Sequence, residues 1–362
     1  MTRTLSRPEL VAWTRLARTP RIGPLTFHRL IARFRTASAA LEALPRVSAL
    51  TAEPEERAAT EIESVVALGG RIIASCEPDY PPLLAELDAP PPVIAVRGDP
   101  KWLKQPTIAI VGSREGSGSA LMFAERLAAD LGAAGFTIVS GLARGVDAAA
   151  HRGALATGTV GVLAGGLDHP YPPQNLKLHD ALCERGAVIS EAPLGAVARA
   201  RDFPRRNSVI SGVSRAVVII EAALRSGSLI TARAAADQGR DVMAAPGSPL
   251  DPRARGSNAL IKQGATLIED ANDVIAALGD GLLPLRPLAP LFADIDAPPP
   301  PPGLPKKIAA LLSPTPIHVN DLARLLEAPA GAVAAALTEL ELEGQAASLP
   351  GGYAAQARAA FS

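Results

Sequence analysis

Two cysteines, Cys76 and Cys183, are all that 362 residues contain, and they lie far apart. They fit neither a disulfide framework nor a metal-ligand spacing. Aromatic residues make up only 3% of the chain, so its core must be built mainly from Ala, Val, Leu and Ile. No apolar run approaches the ~18–20 residues that span a bilayer. Met1–Leu10 carries Arg3 and Arg7 with no apolar stretch behind them, which predicts no secretory signal. Net charge is absent too, because 36 Lys and Arg balance 36 Asp and Glu. With 48% hydrophobic and 20% charged residues, the chain is too apolar for disorder. The composition predicts a soluble cytoplasmic protein and argues against a membrane protein, a zinc-finger protein and a disulfide scaffold.

Zero net charge conceals segregation. Leu121–Ala198 holds five basic and seven acidic residues, whereas Arg199–Lys262 holds eleven basic against five acidic. The surplus is nearly all arginine, whose planar fork suits phosphate and stacks on flat rings.

At ~100–200 residues per domain, the length predicts two or three domains. Residues 1–75 read as short helices, with Trp13, Leu16, Ala17 and then Leu25, Leu30, Ile31, Phe34 at helical spacing. The tight turn Arg21-Ile22-Gly23-Pro24 ahead of one of them is either a plain connector or a helix-hairpin-helix (SAM-like) turn offering N–H groups to a phosphate. Residues 76–280 alternate short apolar strands with helices. The strands fall at 93–96, 107–111, 136–139, 160–163, 187–189, 216–220, 242–244 and 265–268. This pattern predicts an α/β domain with a Rossmann-like, doubly wound, mostly parallel sheet. Residues 281–303 are a proline-rich linker, semi-rigid and extended. Residues 304–362 predict three helices and a glycine-containing hairpin (Gly351-Gly352), a winged-helix-like outline. From Pro329 to Phe361 the only basic residue is Arg358, so the third helix is expected to pack against protein rather than read DNA.

In a doubly wound sheet the ligand sits at the carboxyl ends of the strands. The first such loop is Gly112-Ser113-Arg114-Glu115-Gly116-Ser117-Gly118, whose glycines allow close approach of an anion while Arg114 supplies a full charge. Its spacing is neither the dinucleotide nor the Walker pattern. The next strand ends in Ser140-Gly141-Leu142-Ala143-Arg144-Gly145 where a ribose-binding acid would be needed, so NAD is not expected. Further on come Gly165-Gly166-Leu167-Asp168 and Ser190-Glu191. Arg199-Ala200-Arg201-Asp202-Phe203-Pro204-Arg205-Arg206-Asn207 then places four arginines around one ring, a pattern suited to a sugar-phosphate chain with stacked bases. For Phe203 alone, a hydrophobic staple on the following helix is an equal reading. Ser226-Gly227-Ser228 opens another helix beside Arg225, and Gly256-Ser257-Asn258 is followed by Lys262. One mononucleotide needs one or two such loops, whereas a row of them suits a polymer of phosphates.

Catalytic patterns are few. Ser190, His151 and Asp168 could be imagined as a triad, but Ser190 lacks the GxSxG elbow. His151 reads as a packed histidine and Asp147 as a helix cap. No metal, no cofactor and no catalytic residue is expected.

Several stretches resemble the DNA-processing protein A (DprA/Smf) family. They are Ile110–Arg114, Ser140–Asp147 with Ala150-His151, Gly165–Asp168 with Tyr171-Pro172, Ile189–Glu191, Phe203–Asn207, Ser226–Ser228 with Thr231-Ala232, and Gly256–Asn258. They run in order over about residues 80–270. The resemblance implies a non-enzymatic protein that binds single-stranded DNA without sequence preference, dimerises through the Rossmann-like domain and loads a RecA-type recombinase during natural transformation. It carries the DNA-contacting arginine onto Arg114 and the basic motif onto Arg205, Arg206 and Asn207. Ser208 stands where the family usually has a second arginine, with Arg199 or Arg201 as a substitute contact.

Two other functions remain open from sequence. One is a nucleoside-monophosphate phosphoribohydrolase of the lysine-decarboxylase-like type, although no acid occurs between Glu221 and Asp237 where its loop needs one. The other is a winged-helix transcriptional regulator, which the absence of Arg and Lys from the third helix argues against.

Overall fold

The first helix, α1 (Arg7–Arg18), starts where the Glu9 carboxylate accepts the Ser6 N–H at 2.9 Å and its Oγ–H at 2.7 Å. This satisfies donors that a helix start leaves free. It is followed by α2 (Pro24–Phe34), α3 (Ala37–Val47) and α4 (Glu55–Ala67). Trp13 and Phe27 meet edge to face at 5.0 Å, and the Trp13 indole N–H donates to Pro92 O at 2.8 Å. The computed structural model describes residues 3–47, 50–279, 303–313, 317–326, 328–343, 345–349 and 353–356. It divides into two compact units, Met1–Pro284 and Leu285–Ser362.

The first unit is built on nine strands. They are β1 (Gly70–Ala74), β2 (Val93–Gly98) after the short helix α5 (Pro82–Ala85), β3 (Thr107–Gly112), β4 (Thr137–Ser140), β5 (Thr159–Val162), β6 (Ala187–Ser190), β7 (Ala216–Ile220), β8 (Asp241–Ala244) and β9 (Thr266–Leu267). Between them run α6 (Gly118–Ala133), α7 (Val146–Ala154), α8 (Leu176–Arg185), α9 (Asp202–Gly212), α10 (Ser228–Asp237) and α11 (Arg255–Lys262), and α12 (Ala271–Leu278) follows β9. The spatial order is β1-β2-β6-β5-β4-β3-β7-β8-β9. Strands β3 to β9 are parallel, while β1–β2 and β2–β6 are antiparallel. The sheet is therefore mostly parallel, as its continuous apolar strands require when both faces are covered.

The sheet begins at Gly70, ahead of the domain edge expected at residue 75, because an antiparallel strand buries Ile72, Ile73 and Ala74 that the alternation of strands and helices did not reveal. The N-terminal helices share one apolar cluster with this edge, in which Leu16, Phe27, Leu44 and Val65 meet Ile72, Val93 and Val188. Two further clusters, around Ile94, Val111 and Val217 and around Ile108, Leu127 and Val218, lie among the sheet and its helices.

The second unit comprises α13 (Leu304–Leu311), β10 (Ile317–His318), α14 (Val319–Leu325), α15 (Ala330–Leu342), β11 (Ala346–Leu349) and β12 (Tyr353–Gln356), with sheet order β10-β12-β11. Val333, Ala336, Leu337 and Leu340 of α15 pack against Ile308 and Leu322, so one face of this helix, which carries no Arg or Lys, belongs to the core. Most of the expected linker (residues 281–302), Gly344 and Gly351-Gly352 lie outside the described residues.

Candidate nucleic-acid interface

Strand order reverses between β3 and β7, and the loops leaving them diverge there. Such a switch point opens a crevice at the carboxyl ends of the strands. A cavity of about 660 Å³ occupies it, lined by Ser113 and Arg114 after β3, Arg144 after β4, Phe203 on α9, and Arg225 and Gly227 after β7.

The rim is basic and open. Arg114, Arg144 and Arg225 are exposed, and among the described residues no carboxylate forms an ion pair with any of them. The Arg114 guanidinium lies 5.2 Å from the centre of the half-buried Phe203 ring, which is also edge-to-face with Tyr171 at 6.3 Å. Cation–ring contacts at such exposed sites contribute ~0.5–1 kcal/mol and leave the charge free for a second partner. At the far wall the Ser226 and Ser228 hydroxyls are 2.7 Å apart at the start of α10, whose amino end favours anions. No atom lies within 4 Å of where a Cβ would sit on Gly227, so that wall is open.

Beneath the rim, buried polar groups hold the loops. Asp147 accepts N–H bonds from Gly141 at 3.2 Å and Ala143 at 3.4 Å. It therefore braces the loop ahead of its own helix instead of capping that helix. Burial raises its pKa, against the pull of the nearby Arg206 and those backbone N–H groups. His151 Nε2 accepts the Leu142 N–H at 3.3 Å, which leaves Nδ1 to donate to Thr159 Oγ1 at 2.7 Å. Burial, with Arg206 nearby, lowers its pKa to about 3, so it is neutral. Asn175 Nδ2 donates to Leu142 O at 2.8 Å and Ala143 O at 3.0 Å. Leu142 and Gly145 both have positive φ, 54° and 77°, and a Cβ on Gly145 would meet Ser113 O at 2.2 Å. The network thus fixes an unfavourable backbone that turns Arg144 outward.

The structure separates the expected contact residues. Arg206 is buried, 5% exposed, and is not a surface contact. Its Nη1 donates to Gly141 O and, at 2.9 Å, to Val162 O, and its Nε to Asn207 Oδ1 at 3.2 Å. Burial lowers its pKa to about 10, so it stays charged at neutral pH. Asn207, also buried, donates to Gly227 O at 3.2 Å and ties α9 to the Ser226–Ser228 loop. Gly112 is required by packing, since a Cβ there would meet Ile220 O at 1.9 Å. Lys262 ends α11 just before β9 begins, at the amino ends of the strands, and so lies on the opposite rim. Arg199, Arg201 and Arg205 face a different cavity. Arg205 Nε is 2.7 Å from Glu191, and Ser208 Oγ accepts from Gln238 at 2.9 Å.

Three residues at the site were not among the expected contacts. Arg225 stands beside the expected Ser226–Ser228 loop. Tyr171, 57% exposed, joins the Phe203 ring. Glu221, with φ of 48°, accepts the Ser117 N–H at 2.9 Å and its hydroxyl, closing the first loop from the β7 side. The only sequence signal for Glu221 was an acid ending an apolar strand.

The imagined triad is dispersed. Ser190 Oγ donates to Gly165 O at 2.6 Å, both His151 nitrogens are engaged, and Asp168 accepts the Gly195 N–H at 2.9 Å. Among the described residues no helix is long and apolar enough to cross a membrane.

Comparison with known proteins agrees with this architecture. The DNA recombination-mediator protein A family profile matches residues 71–279, the DprA winged helix domain residues 293–352, and the DprA-like N-terminal HHH domain residues 7–64. Protein Smf of Escherichia coli is 39% identical over 287 residues, which is 77% of this chain and 76% of that protein. DNA processing protein DprA of Bacillus subtilis is 41% identical over 202 residues, 55% of this chain and 68% of that protein. Among solved structures, DNA processing protein A of Streptococcus pneumoniae superposes with a TM-score of 0.59 at 34% identity, covering 71% of this chain and 87% of that one. The Helicobacter pylori protein, solved for its single-stranded DNA binding mode, gives 0.53 at 29% identity, covering 58% and 95%. The chain belongs to the DNA recombination-mediator protein A (DprA/Smf) family.

Proposed function

We propose that this protein binds single-stranded DNA without sequence preference in the switch-point cleft, as part of DNA processing in transformation, and catalyses no reaction there. One observation carries this reading. Arg114, Arg144 and Arg225, exposed and among the described residues paired with no carboxylate, line an open cleft that holds the Phe203 ring and whose deeper charges are already engaged. Phosphates take the guanidiniums and bases have ring faces to stack on, at about 1–3 kcal/mol per stacked base. A binding mode built on backbone charge and stacking does not read sequence. The name of the matching Helicobacter pylori structure, which specifies single-stranded DNA, supports this occupant.

Two further parts rest on family membership. The family's designation as a recombination mediator supports loading of a RecA-type recombinase, and a homodimer formed through the Rossmann-like unit fits the same role in the cytoplasm. A phosphoribohydrolase is not favoured: the Ser226–Ser228 loop offers no carboxylate, and the buried Asp147 accepts the backbone N–H groups of Gly141 and Ala143. A transcriptional regulator is not favoured either, because α15 buries one face in its own core and carries no Arg or Lys on the other.

The test is a salt titration of oligo-dT binding, with duplex DNA as comparison. Affinity should fall with a log–log slope of ~0.7 per contacted phosphate. The triple variant Arg114→Ala/Arg144→Ala/Arg225→Ala should flatten it by about two units. A parent protein with a flat salt response, or one that prefers duplex, would remove the cleft as the binding site.

A further inference from the structure

The first turn of α9 separates two cavities. Pro204 and Arg206 line the cleft on one side. Arg199, Arg201 and Arg205 line a second cavity of about 550 Å³ on the other, closed by Arg18 at the end of α1 and by Ile22 and Gly23 in the connection to α2. We propose that this second cavity receives the phosphates of the single strand as it leaves the cleft, so that the N-terminal helical layer and the sheet together form a second DNA subsite. This rests on the single-stranded DNA reading of the cleft.

The charge accounting favours an incoming anion. Arg18 is held by Glu61 at 2.8 Å, and its Nη1 donates to Glu191 O at 2.9 Å. Arg205 is paired with the nearly buried Glu191. These contacts fix the wall and engage Glu61 and Glu191, while Asp202, the other carboxylate lining the cavity, accepts the Arg199 backbone N–H at 2.8 Å. Arg199 is exposed, and among the described residues no carboxylate forms an ion pair with its side chain. Arg201 has Asp202 only at 3.9 Å, with its side chain 76% exposed. A contact of that kind is worth little in water and is readily exchanged for a phosphate. Two guanidiniums therefore remain available. Gly23, just ahead of α2, lines the same cavity, and no atom lies within 4 Å of where its Cβ would sit, so this wall leaves room for a ligand.

The occupant follows from continuity. Both cavities share one helical wall, about 10–12 Å across with its side chains. An extended strand of a few nucleotides can cross it. A lone phosphate or mononucleotide would fill one cavity and gain nothing from the other.

The experiment is a length series of oligo-dT, measured by fluorescence anisotropy at several salt concentrations. The variants are Arg199→Ala/Arg201→Ala, both at exposed side chains, and Arg114→Ala. The shortest oligomer that binds should occupy the cleft alone, so the parent and Arg199→Ala/Arg201→Ala should bind it equally, while Arg114→Ala weakens it. On longer oligomers the double variant should lose ~1.4 units of salt slope, two contacts at ~0.7 each, and the length at which affinity stops rising should shorten. Equal loss at every length, or no loss at any length, would overturn the second subsite while leaving the cleft intact. A parent that binds oligo-dT at no length would overturn both.

Discussion

Replacing Arg206 with alanine should damage the fold far more than replacing Arg114, although the sequence pattern marks both as DNA contacts. In the folded protein the Arg206 guanidinium bonds the carbonyls of Gly141 and Val162 and the Asn207 side chain, and it is the cation beside the buried Asp147. Alanine leaves three acceptors without their donor and a carboxylate without its counter-charge. Removing one partner of a buried pair costs about 3–5 kcal/mol. At ~2 °C per kcal/mol for a unit of this size, the melting temperature should fall by about 6–10 °C. The deficit should depend on pH with a definite sign. Burial already raises the Asp147 pKa, and loss of Arg206 raises it further. A carboxyl whose folded pKa exceeds its unfolded value favours the native state most when protonated, and that contribution is lost as pH rises through the folded pKa. The gap between variant and parent should therefore be widest near pH 7 and shrink toward pH 5. Thermal unfolding by circular dichroism across that range measures it. An Arg206→Ala protein that melts with the parent at pH 7, yet binds DNA as poorly as Arg114→Ala, would refute the assignment of Arg206 to the scaffold.

Arg205→Ala should leave the Glu191 carboxylate buried without its partner. Burial already raises that pKa, so the stability loss should be larger at pH 8 than at pH 5, read from the melting temperature at each pH. Gly141→Ala should cost about 1–3 kcal/mol, because its Cβ would lie 2.4 Å from Arg206 Nη1 and 2.8 Å from Asp147 Oδ2. Gly227→Ala, with open space and an ordinary φ of −61°, should leave urea stability nearly unchanged. A chain ended after Pro284 should retain the cleft and most oligo-dT affinity, since the first compact unit is complete there.

Sequence alone determined the parallel sheet and the rim loops. Apolar strand runs such as Ile108–Val111 and Val217–Ile220, each ending near glycine, serine or a charged residue, carry their periodicity locally. A doubly wound sheet then places those ends together whatever the loops contain. The same periodicity could not show β1, whose strand is defined by antiparallel pairing with β2 across residues 70–97. Tertiary structure decided which arginines meet solvent. Arg205 and Arg206 are neighbours in a helix, one exposed and the other buried. The groups that make burial possible for Arg206 are Gly141, Asp147 and Val162, which come from 44 to 65 residues away for the bonded carbonyls. A guanidinium can leave water only where enough acceptors converge to replace its hydration. That convergence is a property of assembled strand ends, and no local spacing records it.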